Sequence, residues 1–146
     1  MRLNRSTDIA LRVLMLSAAR ADRLTVDELA DSLAVPRNHL AKVVQTLQRR
    51  GLLETVRGRG GGVRPAAAGR GESVGALVRA LEGAAEVVDC DGDPAPPCPL
   101  RGNCRLRGAL RVAQEAFYAA LDPITIGDLA APPVRETLLS ISSGGQ

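Results

Sequence analysis

Tryptophan is absent from this 146-residue chain, and Phe117 and Tyr118 are its only phenylalanine and tyrosine. Burial must therefore come from Leu, Val and Ala, which cover less area per side chain than an aromatic ring. A small core built this way gains from a second subunit that completes it. No apolar stretch approaches the ~20 residues needed to cross a bilayer. Met1-Arg2-Leu3-Asn4-Arg5 is followed by neither an apolar signal run nor a cleavage site. These absences predict a cytoplasmic protein with no membrane partner. Histidine occurs once, at His39, and no Ser/His/Asp set, phosphate-binding motif or paired acid/base constellation is present. Enzyme function is correspondingly disfavoured.

Net charge is small, +3, but unevenly spread. Residues 1–70 hold 13 Lys/Arg against 6 Asp/Glu, whereas residues 71–146 hold 6 against 10. The first half is a candidate polyanion surface and the second is not.

The pattern along the chain is mainly helical. Ser6 or Thr7 can cap a first helix, whose apolar positions Ile9, Leu11, Val13, Leu14 and Leu16 run to about Ala19. Thr25-Val26-Asp27-Glu28 has the form of a capping box opening a short helix through Leu33. Pro36 suits the first turn of a third helix, with Leu40, Val43, Val44 and Leu47 as its buried stripe and Gly51 as its end. Arg37, Asn38, His39, Lys42, Gln45, Gln48 and Arg49 then point outward, as in the second helix of a helix-turn-helix, the first five being candidate DNA contacts. Leu52–Val56 reads as a strand leading into Arg57-Gly58-Arg59-Gly60-Gly61-Gly62, a glycine-rich hairpin tip. Arg57 and Arg59 at such a tip suit the negative potential of a narrow minor groove.

Ser73–Leu81 predicts another helix. From about Asn103 to Leu121 lies the longest helical pattern. Its positions Leu106, Leu110, Ala113, Phe117, Ala120 and Ile124 alternate spacings of four and three, the seam of a dimerisation helix. Pro123 stops or bends it, and residues 142–146 read as a frayed end. The predicted class is mainly α with a small β-hairpin wing. Residues 1–70 form a winged helix-turn-helix DNA-binding region and 71–104 a helix and cysteine-rich loop. Residues 105–146 form the dimerisation helix and tail.

All three cysteines, Cys90, Cys98 and Cys104, fall in one loop of fifteen residues, with Pro94, Pro96, Pro97 and Pro99 excluding regular structure there. In a reducing compartment, clustered thiols favour a metal or redox centre over structural bridging. Structural zinc sites usually pair cysteines two to four residues apart. Gaps of seven and five residues better suit an iron–sulfur cluster, whose irons each take one thiolate. A dithiol switch or incidental thiols remain alternatives. A cluster needs a fourth ligand, and spacing does not choose among His39, Glu86, Asp89, Asp91 and Asp93.

Taken together, these segments resemble the Rrf2 family of bacterial transcription regulators, and within it the nitric oxide-sensing NsrR type. The resemblance is carried by Met1-Arg2-Leu3 with Thr7-Asp8-Ile9-Ala10-Leu11-Arg12, by the wing Val56–Gly62, and by Leu81-Glu82-Gly83. It continues through Val88-Asp89-Cys90, Cys98-Pro99-Leu100-Arg101-Gly102-Asn103-Cys104 and Gln114–Leu121. It implies a homodimer in which Cys90, Cys98 and Cys104 hold a [4Fe-4S] cluster, with Asp8 supplied by the other subunit as fourth ligand. It further implies a repressor that leaves a palindromic double-stranded DNA operator when nitric oxide reaches the cluster. A related regulator of cluster assembly carries a histidine ligand three residues after its last cysteine; this chain has Arg107 there. That relative's base-reading acidic residue corresponds to Ala41, so its DNA specificity does not transfer. Competing expectations are a zinc- or thiol-responsive winged-helix regulator and, in another class, an iron–sulfur electron carrier or scaffold.

Overall fold

A computed structural model describes residues 2–20, 22–83, 86–92 and 96–143. Helix α1 spans Arg5–Arg20, α2 Val26–Leu33 and α3 Arg37–Arg49. Strands β1 (Leu53–Val56) and β2 (Gly62–Pro65) follow, then α4 (Ala67–Gly71) and α5 (Val74–Glu82). Beyond a 3-10 turn at Arg101–Asn103 come α6 (Arg105–Leu121), α7 (Ile126–Leu129) and α8 (Val134–Ser143). Among the described residues no helix is long and apolar enough to cross a membrane.

The core forms around α1, which packs against α3, α5, α7 and α8. Val13, Leu14 and Leu16 of α1 meet Leu40 and Leu47 of α3, Leu77 and Val78 of α5, and Ile126 of α7 in one apolar cluster. Each such leucine contributes on the order of 1.5–3 kcal/mol by leaving water. The start of α1 differs from expectation: Asn4, not Ser6 or Thr7, is the cap, its Oδ1 accepting from the Thr7 backbone N–H at 2.8 Å. Thr7 is instead buried, and its hydroxyl has no partner among the described residues.

The capping box is present as expected: Thr25 accepts from the Glu28 N–H at 3.1 Å, and Glu28 accepts from the Thr25 N–H at 2.7 Å. Ala34 closes α2 in the left-handed region at φ 50°. β1 and β2 pair antiparallel, Leu53 opposite Pro65 and Val56 opposite Gly62. The wing has a third element that the sequence pattern does not reveal. Leu24 makes an isolated bridge with Val63, its N–H and C=O both bonded at 2.8 and 2.7 Å. Glycine is required at position 62, where a Cβ would lie 2.4 Å from the Leu24 carbonyl oxygen.

α5 and α6 lie side by side, with Gly75 at their closest approach. A Cβ there would sit 2.4 Å from the Tyr118 carbonyl oxygen and 2.2 Å from Asp122 Oδ1. Arg79 ties the pair further, donating to Glu115 at 2.8 Å and to Asp122 at 3.2 Å, with its guanidinium 5.2 Å from the Tyr118 ring centre. Ile124 is not on α6: the helix ends at Leu121, and the Ile124 carbonyl accepts from Val74 N–H at 2.8 Å. The seam expected to run through Ile124 therefore stops one turn earlier, because Pro123 cannot continue it. Residues 142 and 143, expected to fray, are the last turn of α8, and 144–146 lie outside the described residues.

Candidate functional site

The wheel of α3 separates its side chains into three groups. Leu40, Val43, Val44 and Leu47 are buried, and Asn38, Lys42 and Gln45 are exposed on the opposite side. The flanks are tied down. Arg37 pairs with Asp27 of α2, and His39 Nε2 lies 3.2 Å from the Ser6 hydroxyl of α1. Gln48 donates to Thr55 of β1 at 2.7 Å. Of the five side chains on α3 expected to meet DNA, Asn38, Lys42 and Gln45 stand clear, whereas Arg37 and His39 are shared with neighbouring helices. Arg49 is exposed on the free face as well, as its outward position in the helical pattern predicts.

The wing completes a concave surface beside this face. Arg57 and Arg59 are exposed at its tip, and Arg23 braces it by donating to the Gly61 carbonyl at 3.1 Å. Glu54 and Arg64 pair across the strands at 2.9 Å. A groove of about 430 Å³ separates α3 from the wing, lined by Ala41, Lys42, Gln45 and Gln48 on one side and Gly62 and Val63 on the other.

The thiol loop lies beyond the end of α5. Its two limbs are joined where the Cys98 N–H donates to the Cys90 carbonyl at 3.1 Å. Cys104 occupies the N-cap of α6, and its Sγ accepts from the Arg107 N–H at 3.4 Å. All three thiols are free; Cys90 is buried and the others half-buried. Burial pushes the Cys90 thiol above its usual range, and the charges of Cys98, Glu86 and Cys104 push the same way, with Arg107 opposing them. Among the described residues no three His, Cys, Asp or Glu side chains gather closely enough to hold a metal ion.

The candidate fourth ligands are distinguished by their present partners. Glu86 is gripped by both arms of Arg107, at 2.6 and 2.7 Å, which holds its carboxyl below the usual range. Asp89 accepts from the N–H groups of Asp91 and Gly92, and Asp91 pairs with Arg101 at 2.6 Å. Asp93, like Pro94 of the same loop, lies outside the described residues. Asp8 sits in the first turn of α1, in an open groove of about 810 Å³ with Arg2, Asn4, Arg5 and Arg12. Its carboxylate bonds to Arg12 at 2.9 Å, one turn on, and both side chains are about half exposed. Such a pair contributes little, typically about 0.3–0.5 kcal/mol.

Along α6 the expected seam faces outward: Leu106 is 62% exposed and Phe117 36%, Ala113 and Ala120 are exposed, and Leu110 is half-buried. Tyr118 alone of this helix is buried. The helix-turn-helix, its three-part wing and the thiol loop at the head of a long exposed helix together define a winged-helix transcription regulator.

The comparisons agree. Residues 3–132 match the family model described as "Rrf2: Iron-dependent Transcriptional regulator". The chain belongs to the Rrf2 family. It is 55% identical over 145 residues to the HTH-type transcriptional repressor NsrR of Streptomyces coelicolor, covering 97% of each chain. It is also 37% identical over 131 residues to the HTH-type transcriptional regulator NsrR of Geobacillus kaustophilus, covering 88% of this chain and 89% of that one. Among solved structures, T. potens IscR superposes with a TM-score of 0.68 at 18% identity, covering 88% of this chain and 85% of the other. Staphylococcus aureus CymR gives 0.67 at 20%, covering 87% and 96%. The fold is therefore that of winged-helix Rrf2 regulators, and within the family this chain is NsrR-like.

Proposed function

We propose that this regulator is a homodimeric repressor whose DNA affinity is set by a [4Fe-4S] cluster held by Cys90, Cys98 and Cys104, with Asp8 of the partner subunit as fourth ligand. The observation that carries the reading is the joining of three free thiols into one loop, with Cys104 capping the 17-residue α6. A helix N-terminus favours negative charge, and an N–H donated to sulfur is the kind of contact that tunes cluster thiolates. In its chemistry the donor set, three thiols and a carboxylate, is of the kind that would hold such a cluster.

The partners of the loop acids favour Asp8 as the fourth ligand. Drawing Glu86 to iron would strand the part-buried Arg107, whereas Asp8 gives up only a weak i,i+4 pair with Arg12. When bound, the cluster would supply iron open to nitric oxide, and Asp8, a hard carboxylate, would hold it less firmly than the thiolates of Cys90, Cys98 and Cys104. The first turn of α1 carries the consequence. Asp8 lies two residues after Ser6, which reaches His39 of α3, and four after Asn4, whose N–H donates to Glu82 of α5 at 3.1 Å. Release of Asp8 thus acts on a turn bonded to the DNA-facing helix on one side and to the base of the thiol loop on the other. A coupling of about 1–3 kcal/mol changes affinity by about 5–150-fold.

On the DNA side, Asn38, Lys42 and Gln45 meet the major groove, with Arg37 and His39 flanking them and Arg57 and Arg59 in the minor groove. Leu106, Leu110, Ala113, Phe117 and Ala120 of α6 pair the subunits. The test is anaerobic reconstitution with ferrous iron and sulfide, followed by titration onto a two-fold symmetric operator before and after nitric oxide. Expected are a brown protein, operator binding as a dimer, and loss of binding on exposure. Equal affinity of the apo, loaded and nitric oxide-treated forms overturns the reading, and zinc in place of iron supports a zinc-responsive regulator. Asp8→Ala is expected to leave the fold intact while changing the visible absorption and the rate of reaction with nitric oxide.

A further inference from the structure

A cavity of about 450 Å³ lies on the flank of α3 opposite the wing, between the first turn of α1 and the end of α5. Its lining holds two cations, Arg5 and Lys42, and no carboxylate. Neither cation takes part in an ion pair among the described residues. The nearby acids are engaged elsewhere, Asp8 with Arg12 and Glu82 with the Asn4 N–H. Thr7 lines the same cavity and is 1% exposed, and its hydroxyl has no partner among the described residues. A buried hydroxyl left unpaired destabilises the chain that carries it, so one kept beside a cationic cavity points to an acceptor that enters the cavity. Helix α1 adds its N-terminus. Asn4 takes the N–H groups of Thr7, through its side chain at 2.8 Å, and of Asp8, through its carbonyl at 3.1 Å. Those of Arg5 and Ser6 have no intrahelical acceptor, as at the start of any helix, and together with the helix dipole they favour an anion.

We propose that this cavity seats one phosphate of the DNA backbone. The proposal rests on the DNA-binding reading above. A helix in the major groove, which is about 12 Å wide, has a phosphate strand along each flank. With Asn38, Lys42 and Gln45 turned to the bases, the wing covers one flank of α3 and the cavity opens on the other, where the second strand passes. Arg5 and Lys42 supply charge there, and the Arg5 and Ser6 N–H groups and the Thr7 hydroxyl supply hydrogen bonds, which are strong when the acceptor is ionised. A contact of this kind fixes the register of the protein on the duplex and carries no sequence information. The first turn of α1, already joined to α3 through Ser6 and His39, thereby holds DNA directly.

The experiment compares the full-length wild type, Arg5→Ala and Thr7→Val on an operator that the wild type selects from random-sequence duplexes. Thr7→Val is nearly isosteric and removes only the unpaired hydroxyl, so a purely structural Thr7 gives an equal or higher melting temperature and unchanged DNA binding. Expected instead is that same melting behaviour with affinity lowered about 10-fold, on the operator and on an unrelated duplex alike. Arg5→Ala is expected to reduce the slope of log affinity against log salt by about one. Single methylphosphonates, each neutralising one phosphate, are then scanned along the operator. One position in each half-site should weaken the wild type and leave Arg5→Ala and Thr7→Val little further affected, because the partner of that phosphate is already gone. Wild-type affinity and salt slope in both variants overturn the proposal, as does a scan whose losses simply add in all three proteins. Thermal stabilisation of the wild type but not the variants by inorganic phosphate, with additive losses on DNA, assigns the cavity to a free anion and overturns the DNA assignment. A wild type that selects no duplex overturns the DNA-binding reading itself, and this proposal with it.

Discussion

Two helices of nearly equal length lead opposite lives in this chain. Helix α1 has 16 residues and buries nine of them; α6 has 17 and buries Tyr118 alone. The difference follows from surroundings and not from propensity, since both carry apolar side chains at helical spacing. α1 is enclosed by α3, α5, α7 and α8, whereas α6 leans on α5 through one face and leaves Leu106, Val112 and Phe117 outside. Apolar side chains left out along one long helix are a surface for association. The winged-helix part is thus complete within one chain, and α6 leaves an apolar face of the kind the proposed dimer would cover.

The largest effect that could break this comparison comes from shortening one leucine in each helix. Leu16→Ala, in the enclosed helix, is expected to cost about 2–5 kcal/mol of stability in urea denaturation. Leu106→Ala should change monomer stability by no more than about 0.5 kcal/mol while shifting sedimentation equilibrium towards monomer. Equal losses of stability from both would show that α6 is packed within its own chain. A smaller effect is expected at the one close seat α6 has. Gly75→Ala forces a methyl against the Tyr118 carbonyl and Asp122, an overpacking cost of about 1–3 kcal/mol. Tyr118 is the only tyrosine and no tryptophan is present, so its emission reports α6 leaving α5.

The smallest effect sharpens the contrast from the enclosed side. Glu28 is held below its ordinary carboxyl value, 4.5, chiefly by the Thr25 N–H and hydroxyl. A carboxyl lowered in the folded chain contributes stability that is present above about 4.5 and is lost as pH falls through its folded value. Glu28→Gln should flatten this acid limb of the stability curve without moving the neutral plateau by more than a few tenths of a kcal/mol. An acid limb identical to wild type would remove Glu28 from the account.

Much of the fold is legible in the sequence, and the reasons are local. Thr25 and Glu28 announce α2 because the two bonds they form lie within four residues. Leu40, Val43, Val44 and Leu47 give α3 because one stripe of a helix must face the core. The Leu24–Val63 bridge is not legible, since a single residue has no periodicity and its partner lies 39 positions away. Helix α7 escapes notice although Thr125 and Asp128 form the same kind of capping box as Thr25 and Glu28, because only four residues follow the cap. At the candidate site, spacing gathers the thiols and the acids but does not say which acids are already engaged. The engagement of Glu86 depends on Arg107, 21 residues later, which no motif records.

The bond between Gln48 and Thr55 has a further consequence. It crosses from the last turn of the DNA-facing helix to the first strand of the wing, while Arg23 grips the same hairpin from below. Helix and wing are thereby fastened as the two jaws of a caliper set to one opening. In the proposed dimer, a signal that loosens the protein from DNA would not need to reopen each caliper; it would suffice to change the distance at which the two are held apart.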